Sequence, residues 1–526
     1  MKSSLKEIKG INKDLQILPG YSKFRPHLTK EIKYANQSQK LFKLSGAVAL
    51  AVSTPAWAVP TNQPQKWDEE YDIVIIGAGG AGLAAGVESV KQGLKAIIIE
   101  KMPIIGGSSV LCGGKFAVSG TPEQKAKGIN DDEKRFFDDM MKTGGQQNDP
   151  ELVKVFIRES RKHYDFVTKE LGIKPHEITA AAGMSVPRAH GFKPGEVLAA
   201  MRDYFTQRGG KLILSIKAER LTWDYKTSSI SGVKCSQKDK TIYIKANKGV
   251  LLASGGFNRN PELLRKYAPP MAKAAVIAGV GTTGDGLLMA QAYGADVLDM
   301  AYVKATYGFK LNPRTIGDMA QVYYGGAVMV NKEGKRFVNE SLSYKLLGDL
   351  ALSQPEGKSF MIFDEPMRKA QMGRRAIDKK LFSPIDEGKQ LDFLYTGKTL
   401  AEAAEKAGLP VKTVEETVKN YNQGVDAGND VEFGRNSLTS GHGKPMKIET
   451  GPFYIMPTTA ALIGTYCGLK INTKAQVIDV FGNKINHLYA AGEIVGGVHG
   501  AAYMTGTAWG KAMSLGRLAA RNIAGK

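Results

Sequence analysis

Cysteine is scarce: Cys112, Cys235 and Cys467 are the only three in 526 residues. Three scattered thiols exclude a disulfide scaffold, a zinc ribbon and a four-cysteine iron–sulfur site. No CxxCH occurs, so the chain carries no c-type haem of its own. Acidic residues are also in deficit, 51 Asp and Glu against 72 Lys and Arg, and the formal charge is +21. Residues 1–58 hold ten Lys and Arg against three Asp and Glu, so most of the excess lies beyond them. A basic surface favours membranes, anionic substrates or an acidic redox protein, and a diffusely solvated surface accounts for it equally well. No aromatic–basic repeat or recognition motif points to nucleic acid. Long apolar runs are missing too. Leu44–Ala58, LSGAVALAVSTPAWA, falls short of the roughly 20 residues that cross a bilayer, and no membrane span is expected elsewhere.

That short run reads instead as an address. It follows a basic segment and ends in Ala56-Trp57-Ala58, the small-x-small pattern of a secretory cleavage site. Just before it, Ser38-Gln39-Lys40-Leu41-Phe42-Lys43 resembles a twin-arginine signal with Gln-Lys in place of Arg-Arg. Residues 1–58 are therefore expected to be an export signal, cut near Ala58, for a periplasmic protein. The ordinary secretory route and a cytoplasmic extension are the alternatives. The chain's length suits two to four domains.

Glycine is abundant, with 60 residues, and clustered, which suggests backbone approaching a large ligand. Tyr71–Ile76 is a β-branched run that predicts a buried parallel strand. Gly77-Ala78-Gly79-Gly80-Ala81-Gly82 follows, then a helix over 83–91 and a second strand over 96–100. This context makes the GxGxxG a dinucleotide fingerprint. Gly77 permits the tight turn and Gly79 brings backbone to a pyrophosphate at the helix N-terminus. Gly80 and Ala81 open that helix, and Gly82 lets helix and strand pack closely. Glu100 is placed to accept from ribose hydroxyls and argues against a 2′-phosphate.

The fingerprint alone does not choose between NAD and FAD. Directly after the acid comes Lys101, then Gly106-Gly107-Ser108-Ser109 and Cys112-Gly113-Gly114. This stretch resembles the flavin-binding segment of the fumarate reductase/succinate dehydrogenase flavoprotein family. The resemblance continues in order through Ala253-Ser254-Gly255-Gly256-Phe257, Thr283-Gly284-Asp285-Gly286, Gly334–Glu340 (GKRFVNE), Leu488–Glu493 (LYAAGE) and Gly496–Gly500. It spans residues 70–526 and implies an α/β fold, a Rossmann-like FAD-binding domain with an inserted α+β capping domain. The FAD domain would take 68–303 and 462–526 and the cap 304–461. Within the cap, helices are expected over 399–407 and 411–424. The resemblance implies FAD contacts at Lys101, Gly106, Gly107, Ser108, Ser109, Gly113 and Gly114. It adds Ala218, Ala253, Ser254, Gly255, Asp285, Gly492 and Glu493. It also implies that a helix beginning near Ala508 and Trp509 aims its N-terminus at the flavin. Covalent attachment needs a His in the glycine-rich segment; 101–120 has none, so the FAD is expected to be non-covalent. No metal site is expected.

The family's substrate groups are altered. Its proton-donating Arg falls at Tyr344, its carboxylate-binding Arg at Tyr503, and its two substrate histidines at Thr306–Gly308 and Ile463–Gly468, where Tyr307 and Tyr466 stand. A Tyr-rich site resembles the flavin ketosteroid dehydrogenases, and Gly464-Thr465-x-x-Gly468-Leu469 is similar to their GT-x-GGL. Tyr344, Tyr503, Tyr466 and Tyr307 are thus the candidate catalytic residues, with Lys345 or Lys304 assisting a phenol whose ordinary pKa is about 10. Plain packing is the alternative role for each. The expected reaction is hydride transfer from flavin N5 to an activated C=C, an enone or aryl-conjugated alkene, with a proton from Tyr or Arg. Electrons would come from an external donor such as a cytochrome c. The alternatives are a fumarate or other enoate reductase in which Arg314 or Arg188 replaces the missing cation, a dehydrogenase running in reverse, and a non-catalytic flavin electron carrier.

Overall fold

A computed structural model describes residues 61–526, apart from 181–182, 304, 343 and 439–442. The export-signal reading and Lys304 lie outside the described residues.

The β-branched run forms β1 (Glu69–Ile76), whose last four residues are buried. A turn at Gly77, with φ +111°, leads into α1 (Gly80–Lys91). β2 (Ala96–Ile99) lies parallel to β1, Ile75 opposite Ile98. Further along come β3 (Lys211–Ile213), β4 (Lys217–Asp224), β5 (Ser229–Gln237) and the long β6 (Lys240–Leu252). β6 pairs antiparallel with β5 through its first half and parallel with β1 from Ile244 to Leu252. Buried parallel strands carry near-continuous apolar runs for this reason: helices and loops cover both faces.

A second sheet follows. It contains β7 (Thr306–Lys310), β8 (Val328–Val330), β9 (Ser359–Asp364), β10 (Tyr395–Gly397) and β11 (Phe453–Leu462), with α2 (Tyr344–Leu352) packed against β7. β7, β9 and β10 all pair antiparallel with β11. The short strand Ala275–Val276 also pairs with β11, so this sheet draws on residues before position 304. The chain then returns to the first sheet, where β12 (Lys484–Ala490) lies parallel to β6, and ends in α3 (Thr507–Ile523), which packs on α1.

Each sheet has its own hydrophobic core, one gathered around β1, β6, α1 and α3, the other from Tyr307 to Met456. Arg336 locks the second, pairing with Glu340 at 2.8 Å and Asp430 at 2.9 Å, while Asn339 donates to the Phe433 carbonyl. The GKRFVNE segment therefore fastens the approach to α2. Two helices here test the end signals read from sequence. Thr399 caps Leu400–Lys406 by accepting from the Glu402 N–H, with Gly408 in the left-handed region just beyond. The next helix runs Val411–Ala427, past the expected end at 424, because Gly428 and not Gly424 takes the left-handed cap.

Candidate flavin site and tyrosine cluster

At the ends of β1, β2 and β6, where Ile76, Ile99 and Ala253 line it, lies a cavity of about 410 Å³. Gly77, Gly79, Gly80 and Ala81 line it from the β1–α1 turn, and Glu100 and Lys101 from the end of β2. Gly107, Ser108 and Ser109 form another wall, and Ala218, Ala253, Ser254, Gly255, Asp285, Gly492 and Glu493 complete it. These sixteen expected contacts thus meet in one cavity. The other six do not line it. Gly82 packs under the turn, where a Cβ would sit 1.8 Å from the Gly77 carbonyl oxygen. Gly106 turns the chain with φ +112° and donates to the Ala78 carbonyl. Gly114 faces the Phe192 carbonyl, and a Cβ at Gly113 would meet open space. Ala508 and Trp509 open α3, and Trp509 packs edge-on to Phe116.

The side chains around the cavity are fixed by hydrogen bonds. Glu100 accepts from the N–H groups of Ala78 (2.8 Å) and Met102 (2.9 Å). Lys101 pairs with Asp285 at 2.7 Å, joining two residues that the sequence offered separately. Glu493 accepts from Asn258 Nδ2 (2.8 Å) and from the Thr465 N–H (2.9 Å). The residues fit FAD. No acidic residue or side-chain cap occupies the first turn of α1, leaving its positive end for phosphate. The turn is a cradle that a side chain would fill, since a Cβ at Gly80 would lie 2.8 Å from Ser109 Oγ. Ser254 Oγ, on the cavity wall, is buried with no hydrogen-bond partner among the described residues. Asn258, Arg259 and Ile277–Thr282 are wall or second-row residues that the motif reading passed over. The glycines at 279 and 281, just ahead of Thr283–Gly286, were the available signal.

At the Glu493 end stands the tyrosine cluster. Tyr466 and Tyr503 stack with ring centroids 4.3 Å apart. Tyr344 hydrogen-bonds Thr505 Oγ1 at 3.4 Å and lies beside Tyr503. Lys345, buried, sets its Nζ 4.9 Å from the Tyr466 ring, 5.2 Å from Tyr503 and 5.8 Å from Tyr344, and donates to Thr306 Oγ1 at 2.8 Å. Gly348 makes this possible: a Cβ there would lie 2.5 Å from the Ala305 carbonyl, so only glycine lets α2 lie so close to β7. Tyr466 has φ +59°, a left-handed conformation that costs a bulky residue about 1 kcal/mol or more. Burial pushes all three phenols above their ordinary pKa. They are neutral hydrogen-bond donors at physiological pH.

Tyr307 stands apart. Its hydroxyl bonds Thr458 Oγ1 (2.7 Å) and Ser359 Oγ, wholly within the second core. His499 is buried beside Tyr466 and Tyr503, and burial holds its pKa well below the ordinary value. Lys511, also buried, donates to the Val495 carbonyl and is drawn down to about 8 by burial. Arg188 is committed elsewhere, in ion pairs with Asp131 (2.7 Å) and Asp139 (2.6 Å). Arg314 does line the cavity.

A glycine-fingerprint sheet and a second glycine-rich wall meeting on one cavity define an FAD-dependent oxidoreductase. The chain belongs to the family described as FAD binding domain, which matches residues 72–508. It is 33% identical over 461 residues to "Fumarate reductase (cytochrome)" of Shewanella frigidimarina, covering 87% of this chain and 77% of that one. It is 28% identical over 485 residues to "Vinyl phenol reductase" of Lactiplantibacillus plantarum, covering 87% and 97%. The solved open conformation of a flavocytochrome c3 fumarate reductase matches with a TM-score of 0.74 at 30% identity, over 87% of this chain and 79% of that one. A 3-ketosteroid-Δ4-(5α)-dehydrogenase from Rhodococcus jostii shares the fold, with a TM-score of 0.72 at 24% identity over 89% and 99%. No described helix is long and apolar enough to cross a membrane.

Proposed function

We propose that this chain is an exported, periplasmic reductase of activated C=C bonds, with residues 304–461 capping a site formed against the FAD domain. The observation that carries the reading is the cluster of Tyr344, Tyr466 and Tyr503 at the Glu493 end of the flavin cavity. Bound FAD supplies a hydride at N5. The chain's own groups hold the alkene: neutral phenols donate hydrogen bonds to a conjugated oxygen, drawing electron density from the β-carbon. In this reading Tyr344 passes a proton to the second alkene carbon. A dicarboxylate suits this cluster poorly, because desolvating two carboxylates without bidentate arginines costs several kcal/mol. The name of the vinyl phenol relative supports an uncharged, aryl-conjugated alkene. Electrons come from an external donor; the name of the Shewanella relative and the basic surface both support a cytochrome c.

A second reading has one observation in its favour. Arg314 on the cavity wall offers a cation for a fumarate-like or other enoate substrate. The two separate by experiment. The purified protein is reduced chemically without oxygen, and recovery of the oxidised-flavin absorbance is followed after adding an acceptor. An uncharged enone such as benzalacetone is expected to reoxidise the flavin at least ten times faster than fumarate. Faster reoxidation by fumarate overturns the tyrosine reading. The binding mode has its own check: with no histidine in 101–120, acid denaturation is expected to leave all the yellow flavin in the supernatant, and flavin retained in the pellet contradicts non-covalent FAD.

A further inference from the structure

The three phenols pose a chemical problem that the fold itself answers. Each is raised by burial; Tyr466 and Tyr503 stack ring on ring, and Tyr344 lies beside Tyr503. A tyrosine in that setting that gives up a proton becomes a buried phenolate beside other aromatic oxygens. Such an anion persists only if a proton or a positive charge is immediately at hand. Lys345 is the side chain placed to provide it. It is 3% exposed, and its Nζ lies within 6 Å of all three ring centroids. That is the range in which an ammonium and an aromatic face attract. Thr306 Oγ1 fixes it from β7, and Gly348 holds α2 close enough for this contact.

We infer that Lys345 is the proton reserve of the site, resupplying the tyrosine that protonates the substrate. This rests on the alkene-reductase reading above. The step balances as follows. The alkene gains a hydride at one carbon, and its π electrons move toward the conjugated oxygen. The phenol O–H of Tyr344 breaks and a C–H bond forms at the second carbon. The Lys345 ammonium then gives a proton to the phenolate, and water restores the ammonium. The net change is one hydride and one proton added across C=C, with the flavin, reduced by the external donor, as the two-electron source. Lys345 acts through the phenols and is a positioning and proton-supplying residue.

The test compares full-length wild type with Lys345→Met and Lys345→Arg, all flavin-loaded and pre-reduced, using the alkene that reoxidises the wild type fastest. Lys345→Met is expected to reoxidise at least 100-fold more slowly, with unchanged flavin content and flavin midpoint potential. Lys345→Arg is expected to keep a rate within tenfold of wild type, and the fall in rate at alkaline pH is expected to move upward by at least one pH unit. A Lys345→Met rate within threefold of wild type overturns the proposal. If Lys345→Met fails to hold flavin, Lys345→Arg decides alone: an alkaline limb identical to wild type overturns it. Because the wild type is assayed first, failure of every alkene with wild type counts against the function and not against Lys345.

Discussion

Replacing Gly82 by Val is expected to yield a protein with less than a tenth of the wild-type flavin content and a lowered unfolding midpoint. The reason is purely steric. The ideal Cβ would lie 1.8 Å from the Gly77 carbonyl oxygen and 3.3 Å from an Ile75 methyl. Backbone stands in the way, so the conflict cannot be relieved by a side-chain rotation. α1 must move off β1, at a cost of about 3 kcal/mol or more for such overpacking. Moving it also displaces Gly79 and Gly80, whose backbone lines the cavity, and misaims the helix N-terminus. The same helix is held from its far side by α3, where a Cβ at Gly516 would lie 2.2 Å from the Ala81 carbonyl. α1 thus has no slack in either direction. The check is flavin-to-protein absorbance ratio after purification, together with a thermal melt of the apoprotein. Wild-type flavin content in the Gly82→Val protein would mean that the turn is not what holds the cofactor.

The flavin cavity was legible in the sequence because its parts are local. A strand, a glycine turn, a helix and an acid at the end of the next strand form within some 30 residues, and their spacing survives any rearrangement elsewhere. The later segments were legible for a different reason: resemblance gave their order, and the two-sheet fold then folds them onto one cleft. The tyrosine cluster was partly legible. Tyr344, Tyr466 and Tyr503 come from three separate segments, and each sits in a recognisable stretch. Tyr307 was not distinguishable from them, because its fate depends on strand register. Thr306 pairs with Ala461 and Tyr307 with Ala460, so adjacent side chains leave β7 on opposite faces. The face toward α2 received Thr306, which meets Lys345; the other face buried Tyr307 against Thr458 and Ser359. A one-residue difference in pairing, invisible in composition or periodicity, separates a cluster residue from a core residue. Lys345 illustrates the converse. Sequence offered it only as one of two lysines, with Lys304, to assist a phenol; the approach of α2 to β7 at Gly348 is what turns it into the cluster.

Tyr344→Phe and Tyr503→Phe are expected to fail differently, and the contrast separates proton transfer from substrate holding. Both variants keep the ring, so the stack of Tyr466 on position 503 and the aromatic contacts of Lys345 survive. Only a hydroxyl is lost. Tyr344 lies in the buried start of α2, hydrogen-bonded to Thr505 Oγ1. If its O–H supplies the proton, removing it lowers the limiting rate of flavin reoxidation by a saturating enone by about 100- to 1000-fold, within the range for loss of a general acid. The apparent KM should stay within threefold. Tyr503 is half-buried and stacked, better placed to donate to a substrate oxygen than to deliver a proton into the core. Its hydroxyl is worth about 1 to 1.5 kcal/mol as a hydrogen bond, so Tyr503→Phe should raise KM about tenfold and lower the limiting rate less. Neither change should alter the flavin spectrum, because neither hydroxyl lines the flavin cavity. Tyr307→Phe is the control: it removes a hydroxyl satisfied within the second core and should cost stability, about 1 kcal/mol, without a tenfold change in rate. Stopped-flow reoxidation across a range of enone concentrations, run on all three variants, gives the limiting rates and the KM values directly. Equal and small effects at positions 344 and 503 would reduce the tyrosines to packing and move the search for the proton donor to other groups at the flavin's edge.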